Sequence, residues 1–153
     1  MRFISLCVLI LMSAYSFAQD FDKQNIYYQA LKLHFEYIEE QHSKRPDLWI
    51  IASIYFIEED YYTTIGFPDF IDKHKIQILS LPDIKEKTKN KKSINILAVR
   101  PALWEDGKLI INVIEFSVSR KGNNYSYVNV MDGTSYQITY NSDTKQYSLI
   151  SIK

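Results

Sequence analysis

The chain has 153 residues, of which 14% are aromatic and 24% are charged. Eighteen basic residues balance eighteen acidic residues, so no basic excess indicates a nucleic-acid partner. One cysteine, Cys7, and four glycines exclude a disulfide framework, a thiolate metal site and a glycine-rich phosphate loop. We therefore expect no metal and no cofactor. The abundance of Ile, Lys, Asn and Tyr is typical of an AT-rich bacterial genome.

Residues 1–18 have the pattern of a secretory signal peptide. Arg2 precedes an apolar stretch of about ten residues, and Ser16 and Ala18 form a small-x-small cleavage site. The apolar stretch is shorter than the roughly 20 residues that a membrane-spanning helix needs. We expect cleavage after Ala18, export to the periplasm or the medium without a stable membrane anchor, and a single domain over residues 19–153.

The first folded element is predicted to be an amphipathic helix from about residue 22 to residue 43. Apolar residues recur there at helical spacing, Asp22 can cap the first turn, and Pro46 disfavours helix at Arg45. The apolar stripe of this helix needs a sheet to lie on. His34 falls on the stripe, where a half-buried structural histidine is the usual outcome and a catalytic histidine is the alternative.

Several shorter elements follow the helix. Residues 48–57 are rich in β-branched side chains and predict a strand that is central or covered on both faces. Prolines at 68 and 82 can each open a short helix, and residues 75–81 and 94–99 predict strands. Residues 102–108 are predicted to be a loop that exposes Trp104.

The C-terminal part predicts an antiparallel β-meander. Residues 109–119, 125–131, 134–140 and 147–152 each read as a strand, and Asp132-Gly133 is typical of a type I′ hairpin turn between the second and third. That turn would pair Tyr125 with Tyr140 and put four tyrosines on one face of the hairpin. This aromatic face is our candidate binding surface, and it comprises Tyr125, Tyr127, Tyr136 and Tyr140.

The candidates for chemistry are few. Glu58, Glu59 and Asp60 form the densest acidic cluster, and one of them, together with His34, could act as a general acid or base. The alternative is a solvated strand end, because adjacent side chains of an extended chain point in opposite directions. No His-Glu-x-x-His run or nucleophile elbow occurs. The lysine-rich residues 85–92 could form an anion-binding surface or a solvated loop.

The order of elements resembles the nuclear transport factor two-like and cystatin-like group of folds. The resemblance covers residues 21–153 and implies an α+β fold in which an N-terminal helix packs on a curved, mainly antiparallel sheet. Members of this group include enzymes, ligand binders and interaction domains, so the fold itself specifies little function. We expect a non-enzymatic module that binds a protein or a small apolar ligand through the aromatic face. The alternatives are a small cone-shaped hydrolase, isomerase or dehydratase, and a periplasmic inhibitor or immunity-type protein.

Overall fold

The computed structural model describes residues 25–49, 51–89, 93–122, 124–130 and 133–152. The predicted signal peptide, the predicted cap at Asp22 and the first residue of the predicted hairpin turn, Asp132, lie outside the described residues. In chain order the described elements are α1 (Ile26–Lys44), β1 (Tyr55–Glu58), β2 (Phe70–Ile71), β3 (His74–Leu79), α2 (Leu81–Lys87), β4 (Ser93–Val99), β5 (Leu103–Glu105), β6 (Lys108–Lys121), β7 (Asn124–Asn129), β8 (Thr134–Asn141) and β9 (Gln146–Ser151).

Helix α1 begins where Asn25 caps it. The Asn25 side-chain oxygen accepts hydrogen bonds from the backbone N of Tyr27 at 3.0 Å and of Tyr28 at 3.1 Å, which satisfies two free donors of the first turn. The helix ends before Pro46, as the sequence predicts. Its buried residues lie on one stripe that faces the sheet: Tyr28, Ala30, Leu31, His34, Phe35 and Ile38. In the described residues, no helix is long and apolar enough to span a membrane.

The strands form one mostly antiparallel sheet in the order β2-β3-β1-β4-β6-β8-β9, which confirms the α+β class. Strand β1 is central and runs parallel to both β3 and β4. The long strand β6 pairs along one edge with β4 and β5, and along the other edge with β7 and β8. Strand β6 is therefore the spine of the C-terminal half.

The predicted pairing between the second and third strands of the meander is wrong. Strands β7 and β8 do not pair with each other; they follow one another along the same edge of β6, with Tyr127 opposite Val118 and Tyr136 opposite Ile111. The physical reason is the length of β6, because its 14 residues offer one edge to two successive strands.

Three local predictions are also corrected. The predicted strand over residues 48–57 begins only at Tyr55, and a loop precedes it. The predicted helix at Pro68 is instead the short strand β2, which forms a hairpin with β3 through Asp72 at a φ of 51°. The predicted loop over residues 102–108 contains β5, although Trp104 is exposed as expected. The predicted strands β3, β4 and β9 and the helix α2 are confirmed.

The two faces of the sheet have separate cores. The first face is covered by α1 and carries side chains such as Ile57, Leu97, Val113 and Tyr136. The second face is covered in part by the short helix α2, whose Ile84 packs with three buried residues of the strands: Leu79, Ile96 and Val118. Each face is apolar where a helix lies on it, as expected for a sheet between two layers.

Candidate functional site

The structure does not bring the four candidate tyrosines together. Tyr127 lies opposite Val118 and Tyr136 opposite Ile111, and these β6 positions are an odd number of residues apart, so the two tyrosines lie on opposite faces. Tyr125 shares the second face with Tyr127. Tyr136 is buried under α1 at 2% exposure, whereas Tyr140 is exposed and its ring centroid lies 5.0 Å from that of Tyr147. No single aromatic face results.

His34 is part of the packing between α1 and the sheet. Its Nδ1 lies 2.8 Å from Oγ1 of Thr134, and its Nε2 is buried with no hydrogen-bond partner among the described residues. Burial lowers the pKa of His34 to about 4, so the imidazole is neutral at pH 7.

The acidic cluster is dispersed and lies apart from His34. Glu58 Oε2 is buried without a conventional hydrogen bond and lies 3.0 Å from Nη1 of Arg100, with which it forms an ion pair. Glu59 is exposed. Asp60 Oδ1 accepts hydrogen bonds from the backbone N of Tyr62 at 2.8 Å and of Thr63 at 3.1 Å, so this carboxylate stabilises a turn. None of these acids, and not His34, lines any of the clefts described below.

An apolar cleft lies beside strands β1 and β4. Among the described residues these parallel strands pair only at Ile57 and Leu97. The cleft has a volume of about 450 Å³. It is lined by Ile38, Leu48, Trp49, Ala52, Ile54, Tyr55, Phe56, Ser93, Ile94, Asn95, Ile96, Leu97 and Glu115.

The loop between α1 and β1 forms one wall of this cleft and is fixed in place. His42 Nδ1 donates a short hydrogen bond to the carbonyl O of Trp49. The Trp49 ring meets the Tyr37 ring edge-on at 5.5 Å between centroids. Tyr55 Oη accepts from the backbone N of Ala52 at 3.3 Å, and its ring packs 4.7 Å from that of Phe35. Contacts within the protein therefore hold the aromatic side chains of this wall in position.

Glu115 supplies the one carboxylate among the lining residues that the structure describes. Glu115 lies on β6, opposite Leu97 of β4. Its Oε1 accepts a hydrogen bond from Nδ2 of Asn95 at 3.0 Å. Burial raises the pKa of Glu115, and the hydrogen bond from Asn95 opposes this effect in part. An apolar cleft with a few convergent polar groups and a titratable group of perturbed pKa has the features of a ligand site.

Sequence analysis missed Glu115 because its local pattern indicates solvent. It alternates with Ile114 and Phe116, which is the pattern of a polar residue on the wet side of a strand. Asn95 has no local signal of function either. The only indication in the sequence was that residues 48–57, which include Trp49 and Tyr55, are strongly apolar.

Two other clefts have weaker features of a ligand site. One of about 520 Å³ is bordered by Asp69, Lys75 and Gln77, and its surface is more polar than apolar. The other, of about 240 Å³, lies beside Glu39, whose Oε1 is 2.6 Å from His74 Nε2 and 2.8 Å from Lys73 Nζ. The carboxylate of Glu39 is therefore already paired within this cluster. The described residues contain no group of three or more His, Cys, Asp or Glu side chains arranged to hold a metal ion.

No protein-family model matches the chain. No curated protein and no solved structure matches it either.

Proposed function

We propose that this protein binds a small, mostly apolar organic molecule in the cleft between β1 and β4. The observation that carries the proposal is the cleft of about 450 Å³ in which apolar side chains surround the Glu115–Asn95 pair. Small-molecule sites in proteins are typically clefts of roughly 300–1,000 Å³ with mainly apolar walls and a few polar groups that orient the ligand. The proposal includes export, which the signal-peptide pattern of residues 1–18 supports and N-terminal sequencing of the secreted product tests.

The wall residues support binding because they would lose contact with water when a ligand enters. Leu48 is 55% exposed, and Ile54 and Phe56 are partly exposed. Burial of apolar surface contributes about 25 cal/mol per Å², so a ligand that covers these side chains gains affinity without any rearrangement of the core. The fixed positions of Trp49 and Tyr55 reduce the entropy that binding would cost.

Fluorescence of the neutral apolar probe N-phenyl-1-naphthylamine tests this proposal. The chain has two tryptophans, Trp49 in the wall of the cleft and Trp104 on the exposed strand β5. A probe bound in the cleft should receive excitation energy mainly from Trp49. We expect Trp49→Phe to remove most of this transfer and Trp104→Phe to preserve most of it. The proposal would be contradicted if both variants lost energy transfer to the same extent, or if the probe showed no saturable binding.

Occlusion of the cleft provides the matched control. Ala52 and its neighbour Ser53 are both exposed, but only Ala52 lines the cleft. Ala52→Phe should weaken probe binding by about tenfold or more, a loss of about 1.4 kcal/mol, because the added ring occupies ligand volume. Ser53→Phe should leave the affinity unchanged. Melting curves of both variants establish that the fold is retained.

A catalytic role is the second candidate, and Glu115 is the residue that favours it. A carboxyl group of raised pKa in an apolar cleft is a common arrangement for a general acid or base. The test is turnover of esters, epoxides and enolisable ketones by the wild type and by Glu115→Gln. Turnover that Glu115→Gln abolishes, while probe binding persists, would replace the binding proposal with an enzymatic one.

A further inference from the structure

We infer that the ligand of the cleft is an apolar molecule with an amine at one end, bound as its ammonium ion. This inference rests on the proposed function and specifies the chemical class of the ligand. It follows from the charge of the cleft, from the free oxygen of Glu115 and from the aromatic wall.

The described residues that line the cleft include one carboxylate, Glu115, and none of them is Lys, Arg or His. Glu115 forms no ion pair with any described residue. Lys87, whose Nζ lies 4.5 Å from the ring centroid of Phe56, does not line the cleft. An anionic ligand such as a fatty acid would meet an unpaired carboxylate, whereas an ammonium ion would neutralise it.

Glu115 has hydrogen-bond acceptor capacity that the described residues do not use. Asn95 donates to Oε1 of Glu115, and no hydrogen bond to Oε2 is formed by the part of the chain that the structure describes. A carboxylate accepts up to about four hydrogen bonds, so most of the capacity of Glu115 is available. An ammonium group brings three donors and forms a charge-assisted hydrogen bond, which is stronger than the bond from a neutral hydroxyl.

The walls of the cleft provide aromatic and apolar side chains. Trp49 and Tyr55 line the cleft, and aromatic faces attract cations through their quadrupole. The apolar residues Ile38, Ile54 and Leu97 remain for the hydrocarbon part of the ligand. The cleft therefore combines a counter-ion, aromatic rings and an apolar compartment, which is the combination that an apolar ammonium ion requires.

The experiment compares three probes of equal length that differ only in the terminal group: 4-phenylbutylamine, 4-phenylbutan-1-ol and 4-phenylbutyrate. Isothermal titration at pH 7.5 and low salt gives their dissociation constants for the full chain. We expect the amine to bind roughly tenfold or more tightly than the alcohol, because a charge-assisted hydrogen bond contributes more than a neutral one. The carboxylate should bind most weakly.

Two isosteric variants assign the preference to one residue. Glu115→Gln should remove the preference for amine over alcohol, whereas Glu105→Gln, on the exposed strand β5, should retain it. An alcohol that binds as tightly as the amine, a carboxylate that binds most tightly, or an undiminished preference in Glu115→Gln would overturn the inference and leave the proposed function standing. Failure of all three probes to bind the wild type would overturn both.

Discussion

At the scale of single residues, His34 couples stability to pH. Its imidazole is buried and its pKa is lowered to about 4, whereas the ordinary value is 6.5. The unfolded chain therefore takes up a proton as the pH falls below about 6.5, and the native state does so only near pH 4. Stability must fall across this window, by up to about 3 kcal/mol for this residue.

The measurement is the free energy of unfolding by urea at several pH values between 6.5 and 4, for the wild type and for His34→Gln. Because glutamine does not titrate, the variant should lose less stability across this window than the wild type. Other groups that titrate in the same range, such as Asp and Glu side chains, affect both proteins alike. Parallel curves for the two proteins would show that His34 is protonated equally in the native and unfolded states.

Glu115 is expected to reduce stability at neutral pH. Burial raises its pKa above the ordinary value of 4.5, so ionisation costs the native state free energy at pH values above its folded pKa. We expect Glu115→Gln to raise the melting temperature at pH 7, and the gain should shrink as the pH is lowered to 4.5 and below. Glu105→Gln, at an exposed position, should have no such effect. A lower melting temperature for Glu115→Gln at pH 7 would indicate that the carboxylate is stabilised by its surroundings.

At the scale of elements, Gly133 allows β8 to follow β7 along the edge of β6. A Cβ atom at this position would lie 2.6 Å from the carbonyl O of Val113, which is closer than real contacts allow. Since Val113 is paired with Thr134, this backbone cannot move without disrupting the start of β8. The glycine is required here for close backbone approach.

Gly133→Ala should therefore destabilise the protein, by about 1–3 kcal/mol if neighbouring strands shift to relieve the contact. Gly107→Asn is the control: Gly107 has a positive φ of 75° and open space around its Cβ position, and asparagine tolerates that backbone conformation. Chemical denaturation should show a loss for Gly133→Ala and little change for Gly107→Asn. A Gly133→Ala variant as stable as the wild type would contradict the tandem arrangement of β7 and β8.

Local patterns predicted individual elements better than they predicted pairing. The helix α1, the helix α2 and the strands β3, β4 and β9 follow from periodicity, proline position and β-branched composition. The pairing of β7 with β8 was wrong because Asp132-Gly133 has the composition of a hairpin turn, while the choice of partner depended on the distant strand β6. Long-range pairing of this kind overrides a short turn signal.

At the scale of the whole molecule, the cleft is a product of topology. Strand β1 lies between β3 and β4 and is parallel to both, so the chain must cross over twice to build this part of the sheet. Among the described residues, β1 pairs with β4 at a single position, and the cleft lies beside this pair. The loop after α1 then closes one side of the opening with Trp49.

Because the cleft arises from the order of the strands in the sheet, the sequence did not predict the site. His34 and the acids at 58–60 stand out along the chain as chemical groups, yet the fold uses them for packing, an ion pair and a turn. Glu115 and Asn95 are ordinary in their local context and become a pair only because β4 and β6 are neighbours. The suggested likeness to the nuclear transport factor two-like and cystatin-like folds stays a prediction.

The most direct test of the cleft as a ligand site is a crystal structure of the protein with 4-phenylbutylamine. We expect the phenyl ring among the apolar residues between β1 and β4, and the amine nitrogen within about 3 Å of a carboxylate oxygen of Glu115, the usual distance for a charge-assisted hydrogen bond. A ligand seated elsewhere, or an empty cleft at saturating amine, would contradict the assignment of this cleft as the binding site.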